Sequence, residues 1–221
     1  MVAVCVWVMV GTPATATPPE EPIGALPVVL HVATRNGAPV LDAGEIAERV
    51  ALANRHFGAF GICFEVSAEE QLPEEHAVVE TIRERHVFRR MVEPEAIHVF
   101  IVGEMIDEVP SAATRRAAAR VGREPSGRIS GANIPLGQRA RGTYLLVSAQ
   151  GTTLTLTHEL GHFLGAPHHR DPLNIMSYGA DRQRFDEAQG QTFRRTARRF
   201  LRARTLRPVA QCGTGGPSQN G

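Results

Sequence analysis

Residues 158–168 read HELGHFLGAPH, and the interpretation of the whole chain starts from this stretch. His158 and His162 are four residues apart, so on a helix they lie on one face, one turn above each other. Their imidazoles can therefore reach one metal ion together. Glu159 lies between them, where its carboxylate can hold a water molecule bound to that metal.

A third histidine completes the pattern. Gly165 follows His162 by three residues, and His168 follows Gly165 by three. A straight helix would carry His168 away from the metal, but glycine readily adopts the left-handed backbone that ends a helix. We therefore predict a sharp turn at Gly165 that returns His168 as the third ligand. His169 is the alternative third ligand, although the glycine spacing favours His168. Three ligands and one open position are typical of catalytic zinc.

The stretch is followed by residues 174–178, Asn-Ile-Met-Ser-Tyr, with Met176 eight residues after the third histidine. With this methionine the sequence resembles the metzincin family of zinc endopeptidases, which carry HExxHxxGxxH and a Met-turn. The resemblance implies one catalytic Zn²⁺ held by the three histidines. It also implies hydrolysis of peptide bonds by a metal-activated water, with Glu159 as the general base.

Two further residues gain a role from this resemblance. In the family, the methionine at the position of Met176 forms a hydrophobic floor beneath the metal. Tyr178 corresponds to a tyrosine that some branches keep near the zinc, where it binds the metal or donates a hydrogen bond to the developing oxyanion. Tyr178 is therefore a candidate catalytic residue after Glu159, and the alternative is a core or loop tyrosine without a chemical role.

Apolar runs bounded by turn residues predict the strands of the domain. The strand candidates are residues 27–33, 62–66, 97–102 and 144–147, and a short edge strand is predicted at 129–134. An extended peptide would pair with that edge by strand addition, and the loop 178–185 would wall the pocket for the side chain after the cut. We therefore expect an extended peptide or an unfolded protein as substrate.

Helix starts are marked by capping-box patterns, an N-cap residue followed three positions later by Glu or Gln. Asp42 with Glu45 predicts a helix that ends at Gly58, and Asp186 with Gln189 predicts the last helix. The motif helix is predicted at about 153–164.

The strand residues His31 and His98 have no ligand-spaced partner, so we expect them to be hydrogen-bonded core residues.

The resemblance implies an α+β fold, a metzincin-like catalytic domain. Its N-terminal lobe would hold a twisted mixed sheet and two long helices, and its small irregular C-terminal lobe would end in a helix. We predict this peptidase domain over residues 27–205. A signal peptide is predicted at 1–16, a linker at 17–26, and a flexible tail at 206–221.

The N-terminus favours export. Residues 1–10 are almost wholly apolar, and Ala14-Thr15-Ala16 matches a signal-peptidase cleavage site, although no basic residue precedes the apolar run. We expect a secreted or periplasmic protein; the alternative is an apolar N-terminus on a cytoplasmic protein. Removal of this leader would leave Cys63 and Cys212, either bridged by a disulfide or as two free thiols.

Composition restricts the partners. The formal net charge is +1, so the overall charge does not indicate a nucleic-acid partner. The apolar run at residues 1–10 is too short for stable membrane insertion as a helix. We expect a monomer, and the sequence leaves calcium binding open.

Two other functions remain: a non-catalytic metal-binding or adhesion domain, and an intracellular effector protease acting on one specific partner. The retained Glu159 argues against the first, because metal binding alone does not need that carboxylate.

Overall fold

The computed structural model describes residues 23–106, 116, 128–136 and 142–209. The predicted signal peptide at 1–16 lies outside these residues. In the part of the chain that is described, no helix has the length and apolar character needed to cross a membrane.

The strands form one mixed sheet and one small ribbon. In the six-stranded sheet the order is β2-β1-β5-β8-β7, and β3 also pairs with β1. The pairs of β1 with β3, β1 with β5 and β5 with β8 are parallel, whereas β7 runs antiparallel to β8 at the edge. Strands β4 and β6 make a separate parallel pair. The strands are β1 (Ala25–Arg35), β2 (Ala38–Pro39), β3 (Cys63–Leu72), β4 (Val78–Val79), β5 (Ile97–Val102), β6 (Glu104–Met105), β7 (Gly131–Pro135) and β8 (Thr143–Ser148).

The central strands are apolar because both of their faces are covered. Every residue of β5 is buried, and so are five of the six residues of β8. Parallel strands in such a position carry continuous apolar runs, which is why the sequence predicted them. The predicted edge strand is also confirmed, as β7.

The helices begin where the capping boxes placed them. Asp42 and Asp186 each accept a hydrogen bond from the backbone N–H three residues on, and both capping boxes are complete. The predicted starts of these two helices are therefore confirmed. The helices are α1 (Ala43–Gly58), α2 (Ile82–Arg85), α3 (Leu154–Phe163) and α4 (Glu187–Arg202), with short 3-10 segments at Glu74–His76 and Val87–Met91.

Two hydrophobic clusters cover the two faces of the sheet. The larger one contains the buried faces of α1, α3 and α4 and reaches Met176 and Phe185, so it fixes the motif helix against the sheet. The smaller cluster surrounds Phe88, Phe100 and Tyr144 on the other face. The predicted α+β class with a twisted mixed sheet is confirmed.

Some boundaries differ from the prediction. Strand β1 begins at Ala25, inside the predicted linker, because it pairs with β3 from its first residue. The predicted tail includes residues 206–209, yet Leu206 is buried and the Val209 N–H donates to the Ala25 carbonyl at 3.2 Å. The remaining tail, 210–221, lies outside the described residues.

Strand β3 is longer than the predicted strand at 62–66. It continues through 67–71, which are exposed polar or small residues held by backbone pairing with β1. Hydrophobic periodicity could not reveal them. Cys63, at its start, is disulfide-bonded, so the free-thiol alternative is wrong for this residue. Its pairing with Cys212 stays a prediction, because Cys212 lies outside the described residues.

Candidate metal centre

The motif histidines lie on α3, whose position is fixed by its apolar residues and by the loop before it. Leu156, Leu160 and Phe163 recur at helical spacing and are buried against the sheet. Arg49 of α1 secures the preceding loop, because its Nη2 donates to the carbonyls of Ala149 at 3.1 Å and Gly151 at 3.0 Å. These contacts place the first turn of the motif helix.

The chain turns sharply where the helix ends. Gly165 has φ 95°, in the left-handed region that glycine adopts without strain. The Ala166 N–H donates to the Gly161 carbonyl and the Gly165 N–H to the His162 carbonyl, both at 2.9 Å, which is the pairing of a Schellman end. The predicted turn is confirmed, and it brings His168 back towards α3.

The three predicted ligands come together. One nitrogen from each of His158, His162 and His168 lies within 4.8 Å of the other two, and Nε2 of His162 is 3.0 Å from Nε2 of His168. Nδ1 of His158 faces the Ile175 carbonyl at 2.7 Å, and Nδ1 of His162 faces the Ala166 carbonyl at 2.8 Å. Because a carbonyl can only accept, both Nδ1 atoms carry the proton, and both Nε2 lone pairs face the shared space.

The protonation of the rings suits a metal. Burial lowers the pKa of His158 to about 3 and that of His168 to about 4, and it also lowers the pKa of His162. All three are therefore neutral at pH 7, the state in which imidazole binds metal. Two ring nitrogens at 3.0 Å need a proton or a cation to bridge them. The donor set, three neutral imidazoles, fits a zinc ion.

His169, the alternative third ligand, faces elsewhere. Its Nδ1 accepts the Asp171 N–H at 3.1 Å, and its Nε2 lies 3.5 Å from the carboxylate of Asp186. These contacts of His169 join the loop after the motif to the start of α4. Among the described residues, only His168 joins the two helix histidines in a group able to hold a metal.

Glu159 is buried beside the triad, with 5% of its surface exposed. Burial raises its pKa to about 7, while a hydrogen bond from Asn133 and the positive charge of Arg182 act in the opposite direction. Asn133, on β7, donates from Nδ2 to Oε2 at 2.8 Å and to the backbone carbonyl of Glu159 at 2.9 Å. A Cβ at Gly131 would lie 2.6 Å from Glu159 Oε1, so only glycine lets the edge strand pass this close.

Met176 lies below the motif helix and is fully buried. A Cβ added at Gly161 would overlap its sulfur, so the helix and the turn are in direct contact. The Met176 N–H donates to Oδ1 of Asn174 at 2.8 Å, and Asn174 is paired in turn with Gln189 of α4. The turn around Met176 is thus attached to the last helix.

Tyr178 is half exposed and stacks obliquely on His168, with the ring centroids 4.5 Å apart. Its hydroxyl lies 3.2 Å from Nδ1 of His168, the ring nitrogen that faces away from the other histidines. In this position the hydroxyl orients the ring of the third histidine. It does not lie where the three histidine nitrogens converge.

Sequence reasoning missed four side chains around this centre. Asn133 and Arg182 contact the motif helix, and Arg49 and Asn174 hold the segments on either side of it. Asn133 had a usable signal, a polar amide within the predicted edge strand. The others depend on contacts between distant parts of the chain, for which a single sequence carries no local pattern.

No protein-family model and no curated protein matches the chain by sequence. By structure it is similar to metalloproteinase-II from Bacteroides fragilis, with a TM-score of 0.52 and 14% identity over 80% of this chain. It is also similar to mirolysin in complex with compound 9, with a TM-score of 0.53 and 12% identity over 85% of this chain. The chain spans 55% of the first protein and 100% of the second. This likeness shows that the chain has a metalloproteinase fold.

Proposed function

We propose that this chain is a zinc-dependent endopeptidase of the metzincin type that cleaves extended or unfolded polypeptide. The observation that carries the proposal is a buried carboxyl group, that of Glu159, one residue after the first of three histidines whose neutral imidazoles converge. A metal-binding domain without catalysis gains nothing from burying an ionisable group there, since burial of a carboxylate is unfavourable.

His158, His162 and His168 would hold the ion. A zinc ion in such a site supplies Lewis acidity, which polarises a carbonyl and makes a water molecule more acidic. Glu159 then accepts the proton of the attacking water and donates it to the leaving amine. A carboxylate next to the metal ligands is a suitable group for both proton transfers.

The substrate would lie along β7. Within the described residues this strand pairs on one side only, with β8, so its other edge can add an extended peptide. Gly131 and Asn133 bring this edge against Glu159, and a peptide paired with it would pass in front of the histidines. Folded proteins rarely present such a strand, which favours unfolded chain as substrate.

Export is part of the proposal. The apolar leader at 1–16 and the disulfide at Cys63 both favour an oxidising compartment, outside the cell or in the periplasm. We propose that the peptidase domain begins shortly before β1 and includes α4. The sheet contacts of Ala25 and the buried Leu206 support these limits.

The test is to measure zinc content and cleavage of a denatured protein for wild type and Glu159→Gln. We expect about one zinc per chain in both. Only the wild type should cleave, and a chelator should abolish its activity. Glu48→Gln, an exposed carboxyl on α1, is the matched control and should behave as wild type. Wild-type protein that binds zinc and cleaves nothing would favour the metal-binding domain instead.

A further inference from the structure

We propose that Arg182 selects substrates with a carboxylate side chain, Asp or Glu, on the first residue after the scissile bond. The inference rests on the proposed peptidase function and adds its specificity. Arg182 lies in the loop between the Met-turn and α4, and its guanidinium reaches the N-terminal part of the motif helix.

The position of the guanidinium is defined by two contacts. Nη1 lies 3.4 Å from Nδ1 of His158, and Nη2 lies 3.4 Å from Oγ1 of the exposed Thr152. The first is a poor hydrogen bond, because Nδ1 of His158 already donates to the Ile175 carbonyl. The second is long for a hydrogen bond. Arg182 is therefore close to the metal ligands without being well bound by them.

This cation is incompletely satisfied. Its Nε is buried without a hydrogen-bond partner, and among the described residues no carboxylate lies within ion-pair distance of it. Glu159 attracts it electrostatically, but the Glu159 carboxylate is bound by Asn133. Burial of a charge without a partner is costly, and a guanidinium binds a carboxylate through two parallel hydrogen bonds. A substrate carboxylate is the complementary group.

The direction of the edge strand β7 indicates on which side of the scissile bond Arg182 lies. In the proposed binding mode the peptide adds antiparallel to β7, and its C-terminal part then lies beside the start of that strand, at Gly131. A Cβ on Gly151 would lie 3.3 Å from Ser130, so the loop that carries Thr152 is next to this same end. Because Arg182 reaches Thr152, it lies on the C-terminal side of the cut. This places it in the wall of the pocket predicted for loop 178–185.

The experiment uses full-length zinc-loaded protein and peptides that differ only in the residue after the cut: Glu, Gln, Leu or Arg. For wild type we expect kcat/KM for Glu to exceed that for Gln by about tenfold or more. Arg182→Gln should abolish this ratio, Arg182→Lys should keep part of it, and Arg182→Glu should reverse it in favour of Arg. The control, Arg184→Gln, changes an exposed arginine of the same loop and should keep the ratio.

A second readout does not need turnover. Zinc-loaded Glu159→Gln should bind the Glu peptide more tightly than the Gln peptide, measured by fluorescence anisotropy, and Glu159→Gln/Arg182→Gln should bind both equally. If wild type cleaves denatured protein but its products show no excess of Asp or Glu at their new N-termini, the specificity is wrong and the peptidase function stands. If nothing is cleaved, the proposed function fails, and equal binding of both peptides would then overturn the role of Arg182 as well.

Discussion

The side-chain amides of Asn174 and Gln189 exchange two hydrogen bonds in the protein interior. Asn174 Nδ2 donates to Gln189 Oε1 at 2.9 Å, and Gln189 Nε2 donates to Asn174 Oδ1 at 3.1 Å. Both residues are buried. The same Oδ1 accepts the Met176 N–H, so this amide pair links the turn around Met176, which contacts the motif helix, to the last helix.

Replacement of Gln189 by Ala should lower the free energy of unfolding by roughly 1–3 kcal/mol, because it leaves the Asn174 amide buried without its partner and removes the hydrogen bond from the Asp186 N–H to Gln189 Oε1. The turn around Met176 should loosen as well, and zinc affinity should fall. Urea denaturation of the zinc-loaded and chelated protein measures both effects. Gln191→Ala is the control, since Gln191 is exposed two residues further along the same helix. Equal stability of the two variants would contradict the role given to the amide pair.

Asn133 provides the second prediction. Asn133→Leu removes the hydrogen bond to the Glu159 carboxylate while keeping a side chain of similar size on β7. We expect kcat/KM to fall about 10- to 100-fold, the range found for partners that orient reactive groups in metal sites. Zinc content should not change, since among the described residues the Asn133 amide donates to Glu159 and to none of the three histidines. Zinc loss parallel to the activity loss would show that Asn133 supports the metal site instead.

The sequence predicted the elements of this fold well where local chemistry determines them. Capping boxes located the starts of α1 and α4, and continuous apolar runs located β5 and β8. The exposed half of β3 escaped prediction because its only support is backbone pairing with β1. Local patterns report burial and capping, and they do not report which strands pair.

The candidate site divides in the same way. The positions of the three histidines and Glu159 depend on the spacing within one helix and on one glycine turn. The sequence alone was therefore enough to predict that the histidines lie close together. Asn133 is separated from Glu159 by 26 residues, and its amide reaches the carboxylate only because β7 folds onto α3. Gln189 was predicted as part of a capping box, which it forms, but its pairing with Asn174 depends on tertiary structure.

The adjacent histidines 168 and 169 allow a matched test of the third ligand. His168→Ala should reduce bound zinc well below one per chain, because two imidazoles remain of three. His169→Ala should retain the metal, since His169 contacts Asp171 and Asp186. Metal analysis after dialysis gives the answer. The zinc-dependent rise in Tm should follow the same order, because a ligand bound only to the folded state stabilises it. The reverse order would identify His169 as the ligand.

A buried pair of histidines on the other face of the sheet should make stability depend on pH. His31 Nε2 lies 2.9 Å from His98 Nδ1, and His31 Nδ1 lies 3.1 Å from the carboxylate of the mostly exposed Glu70. Nε2 of His98 faces the backbone of Glu93. Burial, and then the charge of His98, lower the pKa of His31 to about 4 from the ordinary value of 6.5, and burial also lowers the pKa of His98.

Because the unfolded chain takes up these protons at a higher pH than the folded protein, stability should be complete above pH 6.5 and decline as the pH falls towards 4. One unit of pKa shift corresponds to about 1.4 kcal/mol, so a loss on the order of a few kcal/mol is expected over this range. Urea denaturation of chelated protein between pH 4 and pH 8 measures the decline. The motif histidines, whose pKa values burial also lowers, contribute to it in the metal-free protein. His31→Phe, which retains the stacking on Phe100, should make the decline smaller than in wild type, whereas His86→Gln changes an exposed histidine and should leave the decline unchanged. An unchanged profile in His31→Phe would assign the acid sensitivity to other groups.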